Sequence, residues 1–254
     1  MNANCTILVT SCDAYRDIER PFLTLFRRYW PDCPFELAVN GETCAEPGFD
    51  REILTGKGKT WSQMLVEALD QIQTPYVILL MNDYCLERPV DTSLILKRLE
   101  TAQQRDALNL RLDPNPPGDE PVADGLRLKR KNTAYSISCK TGIWNRKFLR
   151  DLAAQTKSAW EFERYGSFSL NETDVRPLLV TEHPEFPFFD MIHSGYWEPY
   201  ALKLMKRENI AFDLSRRGLA PLGFRIKTAL KTFVFDLCPN LVVRIQNVFN
   251  VGKK

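Results

Sequence analysis

At 254 residues, 44% of them hydrophobic and 26% charged, the chain has the composition of a globular protein large enough for one sizeable core. Its formal net charge of +2 provides no global field for gathering nucleic acid, which is excluded as a partner on this ground. The seven cysteines contain no CxxC pair, which argues against a structural zinc site and for reduced thiols in a cytoplasm.

Met1 leads almost directly into Cys5–Ser11, an apolar strand candidate that leaves no room for a signal-peptide core. No run approaches the roughly 18 apolar residues of a membrane span. The expected location is therefore cytoplasmic. A helix is predicted to begin near Pro21, with apolar positions Phe22, Leu25, Phe26, Tyr29 and Trp30. Phe35–Asn40 reads as the second strand, followed by a loop marked by Gly41, Pro47, Gly48, Gly56 and Gly58.

Thr60 is a candidate N-cap for the clearest periodic element, in which Trp61, Met64, Leu65, Ala68, Leu69 and Ile72 share one helical face. Thr74-Pro75 closes it. Tyr76–Met81 is a short, wholly apolar run that reads as a strand buried on both faces. It stops at Asn82-Asp83-Tyr84, and an acid at the carboxyl end of a central strand lies where open α/β sheets bind their ligands. A helix over Thr92–Gln104 and a strand over Ala107–Leu112 follow. Alternation of strands and helices predicts a mostly parallel sheet.

The Asp113–Pro121 segment, rich in proline, is expected to form an irregular loop beside a site. Beyond it, Ala134–Lys140 reads as a strand, Asn145–Gln155 as a helix, and Ser158–Ser167 as a short aromatic and acidic turn or helix. Phe188–His193 reads as a strand and Trp197–Arg207 as a helix. From about Leu222, Ile226, Leu230, Phe233, Val234 and Leu237 share a face, with Arg225, Lys227 and Lys231 around it. That pattern is of the kind that lies on membrane surfaces.

Gly58-Lys59-Thr60 is not a P-loop, because Ile53 stands where the first glycine belongs. Thr10-Ser11-Cys12-Asp13-Ala14-Tyr15 places hydroxyls and a carboxylate after the first strand, groups suited to a nucleotide's base and ribose. Trp160-Glu161-Phe162-Glu163 sets two acids among aromatics. An acid against apolar walls has a raised pKa and suits a general base, and the aromatics suit a sugar ring. His183 and His193 are the only histidines, and their spacing supports no metal pair.

Taken together, these motifs resemble bacterial nucleotide-sugar glycosyltransferases of the GT-A type, enzymes of capsule, O-antigen and lipopolysaccharide assembly. The resemblance covers about Thr6 to Arg216. It rests on Thr10–Tyr15, Lys59-Thr60-Trp61-Ser62, Asp83-Tyr84, Tyr135-Ser136-Ile137-Ser138, Gly142-Ile143-Trp144-Asn145, Trp160–Glu163 and Gly195-Tyr196-Trp197. It implies a GT-A-like, Rossmann-type α/β fold: a mixed, mostly parallel sheet flanked by helices, with a C-terminal amphipathic helical tail. Residues 1–216 would be the catalytic domain, with 1–112 the nucleotide-sugar half and 113–216 the acceptor half. Residues 217–254 would be the basic tail on the inner-membrane surface.

The same resemblance implies a nucleotide diphosphate sugar donor and a glycan or lipid-linked acceptor. Thr10, Ser11, Asp13, Tyr15, Trp61, Ser62, Asn82, Asp83 and Tyr84 would border the donor. Trp160 and Trp197 would meet the acceptor, and Glu161 or Glu163 would be the catalytic acid facing the acceptor hydroxyl. Asp83 would match a metal-binding acid for Mn2+ or Mg2+. Asn82 and Cys85 depart from the family's DxD-like pattern and supply less charge for a hard cation. Two other functions remain open: a non-catalytic module binding a nucleotide sugar, and a nucleotidyltransferase. The latter would want a glycine-rich loop after the first strand, and Thr10–Tyr15 contains no glycine.

Overall fold

The computed structural model describes residues 2–224. In chain order the elements are β1 (Cys5–Thr10), α1 (Arg16–Tyr29), β2 (Glu36–Gly41), β3 (Arg51–Leu54), α2 (Trp61–Gln71), β4 (Tyr76–Met81), β5 (Tyr84–Leu86), α3 (Thr92–Gln104), β6 (Asn109–Arg111), β7 (Glu120–Val122), β8 (Leu126–Leu128), β9 (Gly142–Asn145), α4 (Arg146–Ala153), α5 (Ala159–Phe168), β10 (Leu178–Thr181), β11 (Phe188–Asp190), β12 (Ile192–His193), β13 (Tyr196–Trp197) and α6 (Pro199–Arg207).

Nine strands form one mixed sheet in the order β3-β2-β1-β4-β9-β6-β10-β8-β7. The half β3-β2-β1-β4 is parallel, with β1 and β4 in register from Cys5 opposite Tyr76 to Thr10 opposite Met81. β9 runs antiparallel between β4 and β6. The expected mixed, mostly parallel sheet flanked by helices is therefore present.

Strand alternation sorts the core into two layers. Ile7, Val9, Ile78 and Leu80 face one side and pack with Phe22 and Phe26 of α1, Trp30 at its C-cap, Ile95 and Leu99 of α3, and Leu204 of α6. Leu8, Val77 and Leu79 face the other, against Leu65 and Leu69 of α2, Leu149 of α4 and Phe162 of α5. A strand with both faces covered must be apolar throughout, which is why Tyr76–Leu80 carries no polar interruption.

Local chemistry sets the helix ends. Thr60 accepts from the Gln63 amide while the Gln63 side chain accepts from Thr60, a complete capping box. Asp91, Asn145 and Ser158 cap α3, α4 and α5 by accepting from the amides of Leu94, Phe148 and Glu161. Gly142 is required where β9 crosses β6. An added Cβ would fall 2.8 Å from Asn109 Nδ2 and 3.1 Å from the Leu110 carbonyl.

Several expected elements are corrected. α1 starts at Arg16, before Pro21. Proline near the start forgoes only the bond to the Asp17 carbonyl, and Asp17 and Glu19 favour the N-terminal turn electrostatically. Arg51–Leu54 is a strand inside the expected loop, and Glu120–Val122 is an edge strand at the end of the proline-rich segment. Ala134–Lys140 is buried but not a strand; its backbone turns repeatedly, and Ser136 and Ser138 satisfy it through side-chain bonds. Phe188–His193 splits into two short strands, and α6 begins at Pro199. No helix among the described residues is long and apolar enough to cross a membrane. The amphipathic face predicted from Ile226 onward lies outside the described residues.

Candidate active site

Sheet order fixes where a site can form. From β1 the chain builds outward to β2 and β3, then returns to place β4 on the other side of β1. The order reverses between β1 and β4, and the crevice at their carboxyl ends is the switch point where open α/β sheets take ligands. β6 is parallel to β4, and β9 runs the opposite way. The carboxyl ends of β1, β4 and β6 and the segment preceding β9 therefore share one edge of the sheet. Asp13, Asp83, Asp113 and Lys140 all stand on that edge.

On the β1 side, Thr10 is buried and turned into the sheet, its hydroxyl 3.1 Å from Met81 Sδ. Ser11 donates to Glu19, a carboxylate only 1% exposed that also accepts from the Glu46 amide. Burial raises the pKa of Glu19. Asn82 donates to Ser11 Oγ at 2.7 Å and to the Tyr15 carbonyl at 3.3 Å. Its amide thus stitches β4 to the β1 loop. Asp13 accepts from the Thr43 amide and hydroxyl and pairs with Lys57 at 3.5 Å, which hold its carboxyl below the usual range.

Two arginines outside the sheet complete this corner. Arg217 makes a bidentate pair with Asp17 at 2.7 and 2.8 Å, donates to the Ala14 carbonyl at 2.7 Å, and lies 4.5 Å over the Tyr15 ring. Arg216 donates to the Asp13 carbonyl at 3.0 Å. Both neighbours are thus anchored on the first loop.

On the β4 side, Asp83 is pushed up to about 7, first by burial and then by the charge of Asp190, with Arg217 opposing. Asp190 closes β11, whose pairing sets it opposite Tyr84. Asp190 is exposed as a residue, yet surrounding protein desolvates its carboxyl. That desolvation raises its pKa, with Lys140 and His193 opposing. The phenol of Tyr84, its ring tilted against Phe188 with centroids 4.6 Å apart, senses the charges of Asp190, Asp83 and Glu163 and is held well above its ordinary pKa, mainly by burial.

Next to it is a cavity of about 250 Å³ lined by Tyr84, Tyr135, Ser138, Lys140 and Glu163, with Asn115 and Pro116 of the proline-rich loop. α5 delivers Glu163 there. Its carboxylate accepts from Ser138 Oγ at 2.9 Å and from the Cys139 amide at 2.6 Å. Burial raises its pKa against these bonds and the charges of Arg111 and Lys140. Arg111, buried at the end of β6, donates to the carbonyls of Asp113, Pro116 and Tyr135 and so ties the loop to the cavity wall. Tyr135 has φ of +54°, a left-handed conformation costly for a bulky side chain and frequent at functional sites.

The structure thus separates the two candidate bases. Glu163 lines the cavity, whereas Glu161 accepts from the Lys157 amide at 2.9 Å at the start of α5. Trp160 is 80% exposed and Trp197 is 1% exposed. Trp160 has a free aromatic face; Trp197 has none, since its ring is in the core and its indole donates to the Asp213 carbonyl. Trp61 packs on Phe162, and Ser62 bonds Thr156 at 2.8 Å. Neither lines the cavity.

Sequence reasoning missed Asp190, Lys140, Arg111, Glu19 and Arg217. Only Asp190 carried a signal: it ends a Phe-Phe run much as Asn82-Asp83 ends a Leu-Leu-Met run.

No protein-family model and no curated protein sequence matches the chain. Among solved structures it is similar to Staphylococcus aureus TarS 1-349, with 12% identity over 73% of this chain and a TM-score of 0.45. The match spans 59% of that structure's length. TarS 1-349 in complex with UDP-GlcNAc matches with 12% identity over 81% of this chain and 65% of that one, with a TM-score of 0.44. The 2-C-methyl-D-erythritol 4-phosphate cytidylyltransferase of Thermus thermophilus matches with 16% identity over 82% of this chain and 100% of that one, also with a TM-score of 0.44. Likenesses this distant transfer no activity.

Proposed function

We propose that the protein is a glycosyltransferase that moves a sugar from a nucleoside diphosphate to a hydroxyl of a glycan or lipid-linked acceptor. The observation that carries this reading is the placement of three carboxylates around Tyr84 at the switch-point edge of the sheet: Asp83 precedes it in the chain, Asp190 stands opposite it in the β5–β11 pair, and Glu163 lines the same cavity. The site offers two pKa-raised carboxylates at the strand end and a third in the adjoining cavity.

The hard part of such a transfer is charge. The bond from the anomeric carbon to the diphosphate breaks while the acceptor oxygen bonds to that carbon, and the acceptor's proton must leave. Glu163 suits the proton. Its raised pKa makes it a stronger base than a solvated carboxylate, and Ser138 and the Cys139 amide fix its orientation. Lys140 and Arg111 oppose the rise that burial imposes.

Asp83 and Asp190 suit a divalent cation. Neither is in an ion pair, and no third His, Cys, Asp or Glu joins them in a metal-binding cluster, among the described residues. A Mg2+ or Mn2+ ion held by these two carboxylates would take its remaining ligands from diphosphate and water. Bound there, the cation would offset charge on the departing diphosphate. Asn82 is committed to Ser11 and Tyr15, so in this reading the second carboxylate comes from Asp190 rather than from the residue beside Asp83. The basic amphipathic sequence beyond residue 224 suits an acceptor held at a membrane surface.

The test is calorimetric titration of the full chain with UDP, CDP, GDP and ADP, with and without Mn2+, followed by turnover of the matching nucleotide sugars. Selective, Mn2+-dependent binding with release of nucleoside diphosphate supports the reading. Binding without release across a broad acceptor panel would indicate a non-catalytic nucleotide-sugar module.

A further inference from the structure

The turn Asp13–Tyr15 is the part of the candidate donor site with the least regular structure of its own, a single 3-10 turn without a side-chain cap. Its three carbonyls are each tied down from elsewhere. Arg216 bonds the carbonyl of Asp13, Arg217 that of Ala14, and Asn82 that of Tyr15. Arg217 does most, because it also covers one face of the Tyr15 ring and is locked to Asp17 in the first turn of α1.

Both ends of that contact are sheltered: the side chains of Arg217 and Asp17 are 8% and 11% exposed. A bidentate guanidinium–carboxylate pair so withdrawn from water has a defined geometry, unlike a pair on an open surface. The strand of chain carrying Arg217 is itself fixed. Trp197 donates its amide to the Gly218 carbonyl at 3.0 Å and its indole to the Asp213 carbonyl at 3.1 Å. Residues 213–220 therefore form a strap from α6 back to the mouth of β1.

We propose that Arg217 is a positioning residue for the nucleotide end of the donor site, and that the strap completes that site. The inference rests on the donor reading proposed above. Arg217 touches no reacting atom. It holds the half-buried Tyr15 ring and the Asp13 loop in one orientation, so its effect falls on donor affinity and not on the bond-making step.

The experiment uses the full chain with Arg217→Ala, Arg217→Lys and Asp17→Asn. Affinities for UDP, CDP, GDP and ADP are measured by calorimetry at 15 °C with Mn2+, alongside KM and kcat for the matching nucleotide sugar. The nucleotide that binds the wild type is expected to bind Arg217→Ala at least tenfold more weakly. KM should rise to match while kcat stays within twofold, and Arg217→Lys should fall between. Asp17→Asn, which keeps the arginine but removes its anchor, is expected to shift affinity in the same direction and covers the case in which Arg217→Ala does not fold. Wild-type binding that the variants leave unchanged, or a loss confined to kcat, overturns the inference while sparing the function. Absence of nucleotide binding by the wild type overturns both.

Discussion

Replacing Asp83 with Asn should make the metal-free protein more stable at alkaline pH. The folded state raises this carboxyl from the usual 3.8 to about 7, so folding favours its protonated form. The stability that the proton confers is therefore fully present below pH 3.8, declines as pH rises, and is lost above about pH 7. Integrated between pH 5 and pH 8, one such group removes about 2.5 kcal/mol. The carboxylate retains some contact with water, which makes this a ceiling. For a chain of this size each kcal/mol moves the melting midpoint by about 2–4 °C, so the wild type should lose roughly 5–10 °C more than Asp83→Asn over that interval. Thermal unfolding at both pH values in EDTA measures the difference and cancels the titrating groups that do not interact with Asp83. Adding Mn2+ at pH 8 should restore the wild type and leave the variant unmoved, because the ion stabilises only the state that binds it. Parallel pH profiles for the two proteins would refute the reasoning.

Glu163→Gln should lower donor turnover by about 10²–10⁴-fold, the usual yield of a positioned base. It should also abolish the acid limb of the pH–rate profile, since the wild-type carboxyl must lose its proton before it can accept another, and its pKa is raised. Glu185→Ala should destabilise the fold by about 3–5 kcal/mol in urea titration, because it leaves Arg98, 5% exposed and paired at 2.6 Å, as an uncompensated buried charge.

The parts of the fold legible in the sequence are those written in local chemistry. Thr92–Gln104 has the predicted bounds, and Thr60 caps the predicted helix, because a cap and an apolar stripe need no distant partner. Tyr76–Met81 is legible for the same reason: only a strand covered on both faces tolerates such a run. Ala134–Lys140 reads wrongly as a strand because alternation alone cannot show that Ser136 and Ser138 bond backbone groups in place of a neighbouring strand. In the candidate site, Asp83 and Glu163 stand out beside apolar residues. Their partners do not. Lys140, Arg111 and Arg217 come from segments joined only by the sheet's crossings, and a charged residue in an irregular segment looks the same whether it faces solvent or a carboxylate.

The antiparallel strand in the middle of the sheet has a consequence for the nascent chain. β4 is complete at residue 81, yet the neighbour that covers its outer edge, β9, begins only at residue 142. While the intervening sixty or so residues leave the ribosome, Tyr76–Met81 presents a bare, apolar ladder of amides and carbonyls to whatever is nearby. Exposed ladders of this kind recruit foreign strands. Synthesis through Gly142–Asn145 is thus the interval in which the polypeptide is most prone to clump, and in which a chaperone has most to protect.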